Sequence, residues 1–316
     1  MQALLDRRLI VVTGKGGVGK STIAAALGTL AAQAGRRATI VELGGQSRMA
    51  ELFGRRPGEP GEELRLREGL WGLTIDPDRA LLEWVQELGG RVSSRVLGSS
   101  GTFQYFAAAA PGAREIVTMI KIWRLAGGRR TSRRGRDLVI MDAPATGHAL
   151  GMLRSPETFG RIARVGPIVR DTSHVRELLA DPARSAYVAV AQGTDMAVTE
   201  TLELQDGLET AVGRELDAVV LNALLPRRFS AEELALLDAR AGGGANGSGV
   251  PAAAARAAHE VHARASYQHG QVTRLRRRGL HVLPVPFVWT AALDLEALEQ
   301  IASRLAQGLE RAGAAS

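Results

Sequence analysis

Gly14-Lys15-Gly16-Gly17-Val18-Gly19-Lys20-Ser21 constrains this chain more than any other stretch, because it matches G-x-x-x-x-G-K-[ST]. The pattern has a mechanical meaning. Glycines let successive backbone N–H groups turn inward around phosphate oxygens, and a helix starting where the loop ends adds partial positive charge. Lys20 then neutralises the β- and γ-phosphates of a nucleoside triphosphate, and the Ser21 hydroxyl ligates Mg²⁺, with Thr22 in the same binding turn. The flanks agree with this reading. An apolar strand, Leu9–Thr13, precedes the loop, and Ser21–Ala34 follows as a helix with Ile23, Leu27, Leu30 and Ala34 on one side.

The rest of the chain keeps the same rhythm. Short apolar runs at Ala38–Leu43, Leu73–Asp76, Asp137–Asp142, Ala186–Ala191, Asp217–Asn222 and His281–Val285 alternate with helical patterns. Several runs are continuous and not alternating, which suits strands buried on both faces of a parallel sheet. The expected fold is α/β: a doubly wound, mostly parallel P-loop NTPase sheet in a single domain over 1–316. Three segments break the pattern. Arg55–Glu68 reads as an exposed loop, 98–128 as a helical insertion between two switch regions, and 242–250 as a flexible linker before an Ala-rich helix.

Composition narrows the chemistry. The chain has no cysteine, which excludes disulfide scaffolds, cysteine-ligated zinc, iron–sulfur clusters and thiol catalysis. Of 40 Lys and Arg residues only Lys15, Lys20 and Lys121 are lysine, so two lysines fall inside the phosphate motif. The net charge of +7 reads as an arginine-rich solvated surface, with no specific nucleic-acid partner implied. Neither a leader-like segment nor a membrane span is legible, so the expectation is a cytoplasmic protein.

Leu138-Val139-Ile140-Met141-Asp142 is an apolar strand ending in an acid, as a Walker B strand requires, and its carboxylate can hold the Mg²⁺ shell. Lys15 is not part of the minimal phosphate motif. It resembles the signature lysine of the deviant K-G-G-x-G-K-[ST] loop of nucleotide-dependent dimerising ATPases, which reaches across the dimer to the partner's phosphates. Asp142-Ala143-Pro144-Ala145-Thr146-Gly147-His148 resembles the switch II signature D-T-A-P-T-G-H of the arsenical pump-driving ATPases and of their eukaryotic relatives that target tail-anchored proteins, with the proline shifted by one place. Pro111-Gly112-Ala113-Arg114-Glu115 is similar to that family's P-G-x-x-E. Asp217–Pro226 is similar to the segment whose asparagine reads adenine, which places Asn222 there, and Pro284–Phe287 to the loop that covers the base, which places Pro286 there. The likeness is nearest to single-domain bacterial anion-transporting ATPases. It implies ATP and Mg²⁺ as ligands, a homodimer or a heterodimer with a second such ATPase, and a client or membrane-associated partner.

One departure matters for activity. The family's switch I carries an Asp-Pro pair whose aspartate activates water, and Gly44-Gly45 occupy those positions here. Glu42 lies two residues earlier, on the same face of a strand as Gly44, and is the candidate substitute. Three readings follow: an ATP-hydrolysing dimeric switch that is slow alone, a non-catalytic nucleotide-binding partner of a second ATPase, or a partition-type ATPase, against which the switch II match argues. Arsenite activation does not carry over without cysteine.

Weaker signals have plainer explanations. Phe103, Tyr105 and Phe106, with Ile116, Met119, Ile120 and Trp123, suit either a client groove or the chain's own core, and the spacing of the last four favours core. Arg129, Arg130, Arg133, Arg134 and Arg136 read as a solvated loop. His259 and His262 are three apart on a helix but lack a third metal ligand. Leu295, Leu298, Ile301, Leu305 and Leu309 keep helical spacing, and the acidic charge balance of their helix argues against a membrane-surface role.

Overall fold

The computed structural model describes residues 2–44, 47–84, 86, 112–128, 137–162, 167–241 and 249–314. The strands are β1 (Leu9–Gly14), β2 (Ala38–Leu43), β3 (Glu63–Arg67), β4 (Leu70–Ile75), β5 (Leu138–Ala145), β6 (Ser185–Gln192), β7 (Ala218–Leu224) and β8 (Val282–Pro286). They form one sheet in the order β3-β4-β2-β5-β1-β6-β7-β8. Every neighbouring pair is parallel except β3–β4. The continuous apolar runs are thereby explained: β1, at the centre, is buried along its whole length, as two covered faces require.

The helices are α1 (Gln2–Leu5), α2 (Lys20–Gln33), α3 (Arg48–Leu52), α4 (77–84), α5 (Ala113–Trp123), α6 (Thr146–Ile162), α7 (Pro167–Ala180), α8 (Asp195–Val212), α9 (Ala231–Arg240), α10 (Val250–Arg277) and α11 (Leu295–Ala314). Local chemistry sets their ends. Ser230 and Glu233 close a capping box on α9, the Ser230 hydroxyl accepting from Glu233 N–H and the carboxylate from Ser230 N–H. Gly213, at φ 66, ends α8. The leucine spacing of α11 is core spacing: Leu298, Ile301, Leu305 and Leu309 are buried against α2 and β8, each contributing about 1.5–3 kcal/mol. Leu295 stays exposed.

One expectation needs correction. The stretch Arg55–Glu68 is not wholly a loop, because Glu63–Arg67 forms β3, antiparallel to β4. Its charge-rich sequence hides the strand because it is an edge, where only Leu66 is buried. Lys121, for which the sequence offered no role, is paired: its Nζ donates to Glu83 Oε2 of α4 at 2.8 Å. Within the insertion, Ile116, Met119, Ile120 and Trp123 are buried in the main core, so that face of α5 offers no groove. Phe103, Tyr105, Phe106, the arginines at 129–136 and the linker residues 242–248 lie outside the described residues. Gly249 already caps α10, which begins at Val250.

Candidate functional site

Parallel strands aim their C-terminal ends at one rim, and the residues singled out from the sequence gather there. β1 runs into the glycine loop, and two glycines are obligatory by geometry. Gly14 has φ +143, and a Cβ there would stand 2.1 Å from the Val190 carbonyl oxygen of β6. Gly19 has φ +97, and its Cβ would stand 2.3 Å from Asn222 Nδ2. Between them Gly16 and Gly17 are exposed, with nothing within 4 Å of a Cβ position. Val18 is buried and anchors the loop. The first turn of α2 receives no side-chain cap from Gly19, so its N–H groups are free to meet an anion.

Lys20 and Ser21 project from that first turn. Lys20 Nζ donates to the Lys15 carbonyl at 3.0 Å. Burial lowers its pKa and the nearby Arg48 adds to this, while Asp142 opposes both. Ser21 Oγ donates to Asp142 Oδ2 at 2.6 Å, joining the loop to the end of β5. Burial also raises the Asp142 pKa, against the Ser21 hydrogen bond and the Lys20 and Arg48 charges. Asp142 Oδ1 and Thr146 Oγ1 are both buried without a hydrogen-bond partner. Orphaned oxygens of this kind are rare and unfavourable. A hydroxyl and a carboxylate beside an empty acceptor are the hard oxygen donors that Mg²⁺ takes, so these residues fit the metal the loop implies.

Glu42 faces Asp142 directly across the β2–β5 pairing and Thr74 across β2–β4. The side chain is buried, and its Oε1 accepts Arg48 N–H at 2.8 Å and Met49 N–H at 3.1 Å. Burial pushes its carboxyl up to about 7, the two backbone donors opposing and the Asp142 charge adding. The carboxylate therefore ties the start of α3, and with it the switch I segment, to the sheet. Gly44 follows at φ +103, its N–H donating to the Ile75 carbonyl at 3.1 Å. Gly45 lies outside the described residues.

Lys15 turns back on its own chain. Its Nζ forms an ion pair with Glu200 of α8 beside Met196. Asn222, near the end of β7, donates from Nδ2 to the Val18 carbonyl at 3.0 Å and so clamps the phosphate loop, where the resemblance implied a reader of adenine. Thr22 continues the turn of α2, half-buried. Pro286 closes β8, paired with Leu224, one strand further out. Beyond it Phe287 and Trp289 pack edge to face at 4.8 Å, under the Arg228 guanidinium. His148 is exposed on the first turn of α6. His259 and His262 are structural, bound to Asp238 and the Phe229 carbonyl, and the described residues hold no cluster of three metal-ligating side chains.

Three participants escaped the sequence reading. Arg48 carries a charge felt by Lys20, Glu42 and Asp142, and its place just after the switch I glycines was the available signal. Glu200 and Met196 lie 185 and 181 residues from Lys15, and no spacing rule links them.

Comparisons with known proteins agree with this geometry. The family described as anion-transporting ATPase matches residues 7–167, which takes in the loop, switch I and switch II but stops before Asn222 and Pro286. ATPase BagA of Mycobacterium tuberculosis is 31% identical over 237 residues, covering 72% of this chain and 68% of its own length. The arsenical pump-driving ATPase of Escherichia coli is 26% identical over 68% of this chain and 39% of its own. ATPase GET3 of Paracoccidioides lutzii is 27% identical over 49% and 46% respectively.

Proposed function

Because the chain belongs to the anion-transporting ATPase family, we propose that it binds ATP–Mg²⁺ at Gly14–Thr22 and acts as a nucleotide-driven dimeric switch whose own hydrolysis is slow. The observation that carries this reading is the pairing of a complete phosphate and metal grip with a carboxylate-free switch I. On one side stand the open glycine cradle, Lys20, and Ser21 bonded to Asp142. On the other, Gly44 offers no side-chain oxygen, and the Glu42 carboxyl two residues earlier is bonded to the backbone of α3.

Each residue has a stated task in this account. The loop N–H groups and the start of α2 hold the phosphates. Lys20 leaves the Lys15 carbonyl for the phosphate oxygens; burial lowers its pKa, against the neighbouring Asp142 charge. Ser21 and Asp142 hold Mg²⁺, which supplies neutralising charge to the phosphates. Thr146 and Asp142 Oδ1 order water beside them. Glu42 holds switch I and does not itself activate water. Lys15 exchanges Glu200 for the phosphates of a second protomer, as the resemblance of its loop to the dimerising class implies. Asn222 and the segment after Pro286 border the base. Output passes to a client or membrane-associated partner, and no helix among the described residues is long and apolar enough to cross a membrane by itself.

Gly44 equally favours a second reading, a nucleotide-binding subunit that completes the site of a second, related ATPase. Steady-state phosphate release separates the two when measured for the pure chain, for Glu42→Gln, and with a co-purifying partner. Slow release unaffected by Glu42→Gln supports the slow switch. Release that appears only with the partner and survives Lys20→Ala in this chain supports the regulatory subunit. A fast rate for the pure chain that Glu42→Gln abolishes would make Glu42 the base and overturn its assignment here.

A further inference from the structure

At the outer edge of the sheet β8 refuses a further strand. Val219 N–H donates to the His281 carbonyl and Phe287 N–H to the Leu224 carbonyl, at 2.8 and 2.9 Å, so the odd-numbered residues of β8 turn their N–H groups toward β7. The even positions face outward, and two of them are Pro284 and Pro286, which have no N–H to offer. The space beside this edge is nevertheless concave. A cavity of about 460 Å³ lies between β8, the last turn of α10 and the outer face of α11, a size typical of small-molecule sites.

Its walls are cationic. Arg304 and Arg311, with Gln307 between them, share one face of α11, Arg276 reaches in from α10, and His281 stands at the start of β8. No Asp or Glu lines the cavity. Among the described residues, no carboxylate forms an ion pair with Arg276, Arg304 or Arg311, although Arg274 of α10 pairs with Asp195 at 2.6 Å and Glu299 of α11 with Arg67 at 3.3 Å. Three guanidiniums around one depression repel each other, and a phosphoryl group, which accepts their N–H groups in pairs, offsets that repulsion. Leu280 and Val282 give the cavity an apolar floor. Pro284 and Pro286 line this cavity and also lead into the segment placed beside the base, but the phosphate loop is separate: β8 lies three strands from β1, roughly 14 Å across the sheet.

We infer that this edge cavity binds a soluble, phosphorylated small molecule, with its phosphoryl group held by Arg276, Arg304 and Arg311 and its organic body resting on Leu280 and Val282. The proline-blocked edge argues against an added strand. Calorimetric titration of the full chain with inorganic phosphate, pyrophosphate and glucose 6-phosphate tests the assignment. At least one probe should bind at a single saturable site. Its affinity should fall tenfold or more in Arg304→Gln/Arg311→Gln and should be retained in Lys20→Ala, which disables the phosphate loop. Both arginines are exposed, so the double variant should melt as the parent does. Three results would overturn the inference: no saturable binding of any probe, binding lost in Lys20→Ala but kept in the double variant, or arginine-dependent binding only to vesicles containing phosphatidylinositol phosphate.

Discussion

Glu42→Gln should make the nucleotide-free protein more stable at pH 8 and flatten its stability between about pH 4.5 and 7. Glu42 is 4% exposed, and burial raises its carboxyl from the usual 4.5 to about 7. Between those values the folded protein keeps a proton that the unfolded chain has released. Stability therefore falls as pH rises through that window, and above it the folded state carries a desolvated carboxylate. A shift of about 2.5 pH units at about 1.36 kcal/mol per unit is on the order of 3 kcal/mol. The amide oxygen of glutamine can still accept the Arg48 and Met49 N–H groups and has no charge to bury. The variant should thus match the parent near pH 4.5 and exceed it by up to about 3 kcal/mol at pH 8. Urea denaturation of both proteins from pH 5 to 8, without nucleotide or Mg²⁺ and followed by tryptophan fluorescence, reads this directly. Asp142 is also raised and its charge adds to the Glu42 shift, so the comparison is repeated in an Asp142→Asn background. Parallel curves across the range, or a less stable variant at pH 8, would refute the placement of Glu42 as a buried, raised carboxyl.

Ser21→Ala removes the hydroxyl that bonds Asp142 Oδ2 and should weaken ATP binding at least tenfold in Mg²⁺ but little in EDTA, by calorimetry. Glu200→Gln frees Lys15; a partly exposed pair is worth about 0.5 kcal/mol, two such pairs open per symmetric dimer, and ATP-dependent dimerisation should tighten roughly fivefold in sedimentation velocity. Gly44→Asp has room for its Cβ but needs φ +103, so it should lower the melting midpoint through about 1–2 kcal/mol of backbone strain while raising turnover. Leu305→Ala, in the α11 face buried on α2 and β8, should cost about 2–5 kcal/mol in denaturant melts.

The parts of the fold written in local pattern were legible, and the parts set by distant partners were not. Continuous apolar runs located seven strands within a few residues, because burial on both faces forces that composition. β3 was missed since an edge strand buries one leucine and leaves the rest charged. The glycine loop and Asp142 were legible because the chemistry of phosphate and Mg²⁺ demands those residue types in that order. Glu42 was placed on a strand, as β2 bears out, yet β2 ends at Leu43 before Gly44, and the bonds of Glu42 to Arg48 and Met49 depend on where α3 begins. The Glu200 partner of Lys15 and the Val18 partner of Asn222 come from elements far apart in sequence, brought together only when β6 pairs with β1 and β7 with β6. Lys121 had no role in the sequence for the same reason, since Glu83 reaches it from a separate helix.

The central claim is tested most directly by steady-state phosphate release from the pure chain at ATP–Mg²⁺ concentrations shown by calorimetry to fill the site. Full occupancy is expected with turnover well below the ~1 s⁻¹ at the low end of ordinary enzymes. Turnover at or above that rate, unchanged in Glu42→Gln, would contradict it.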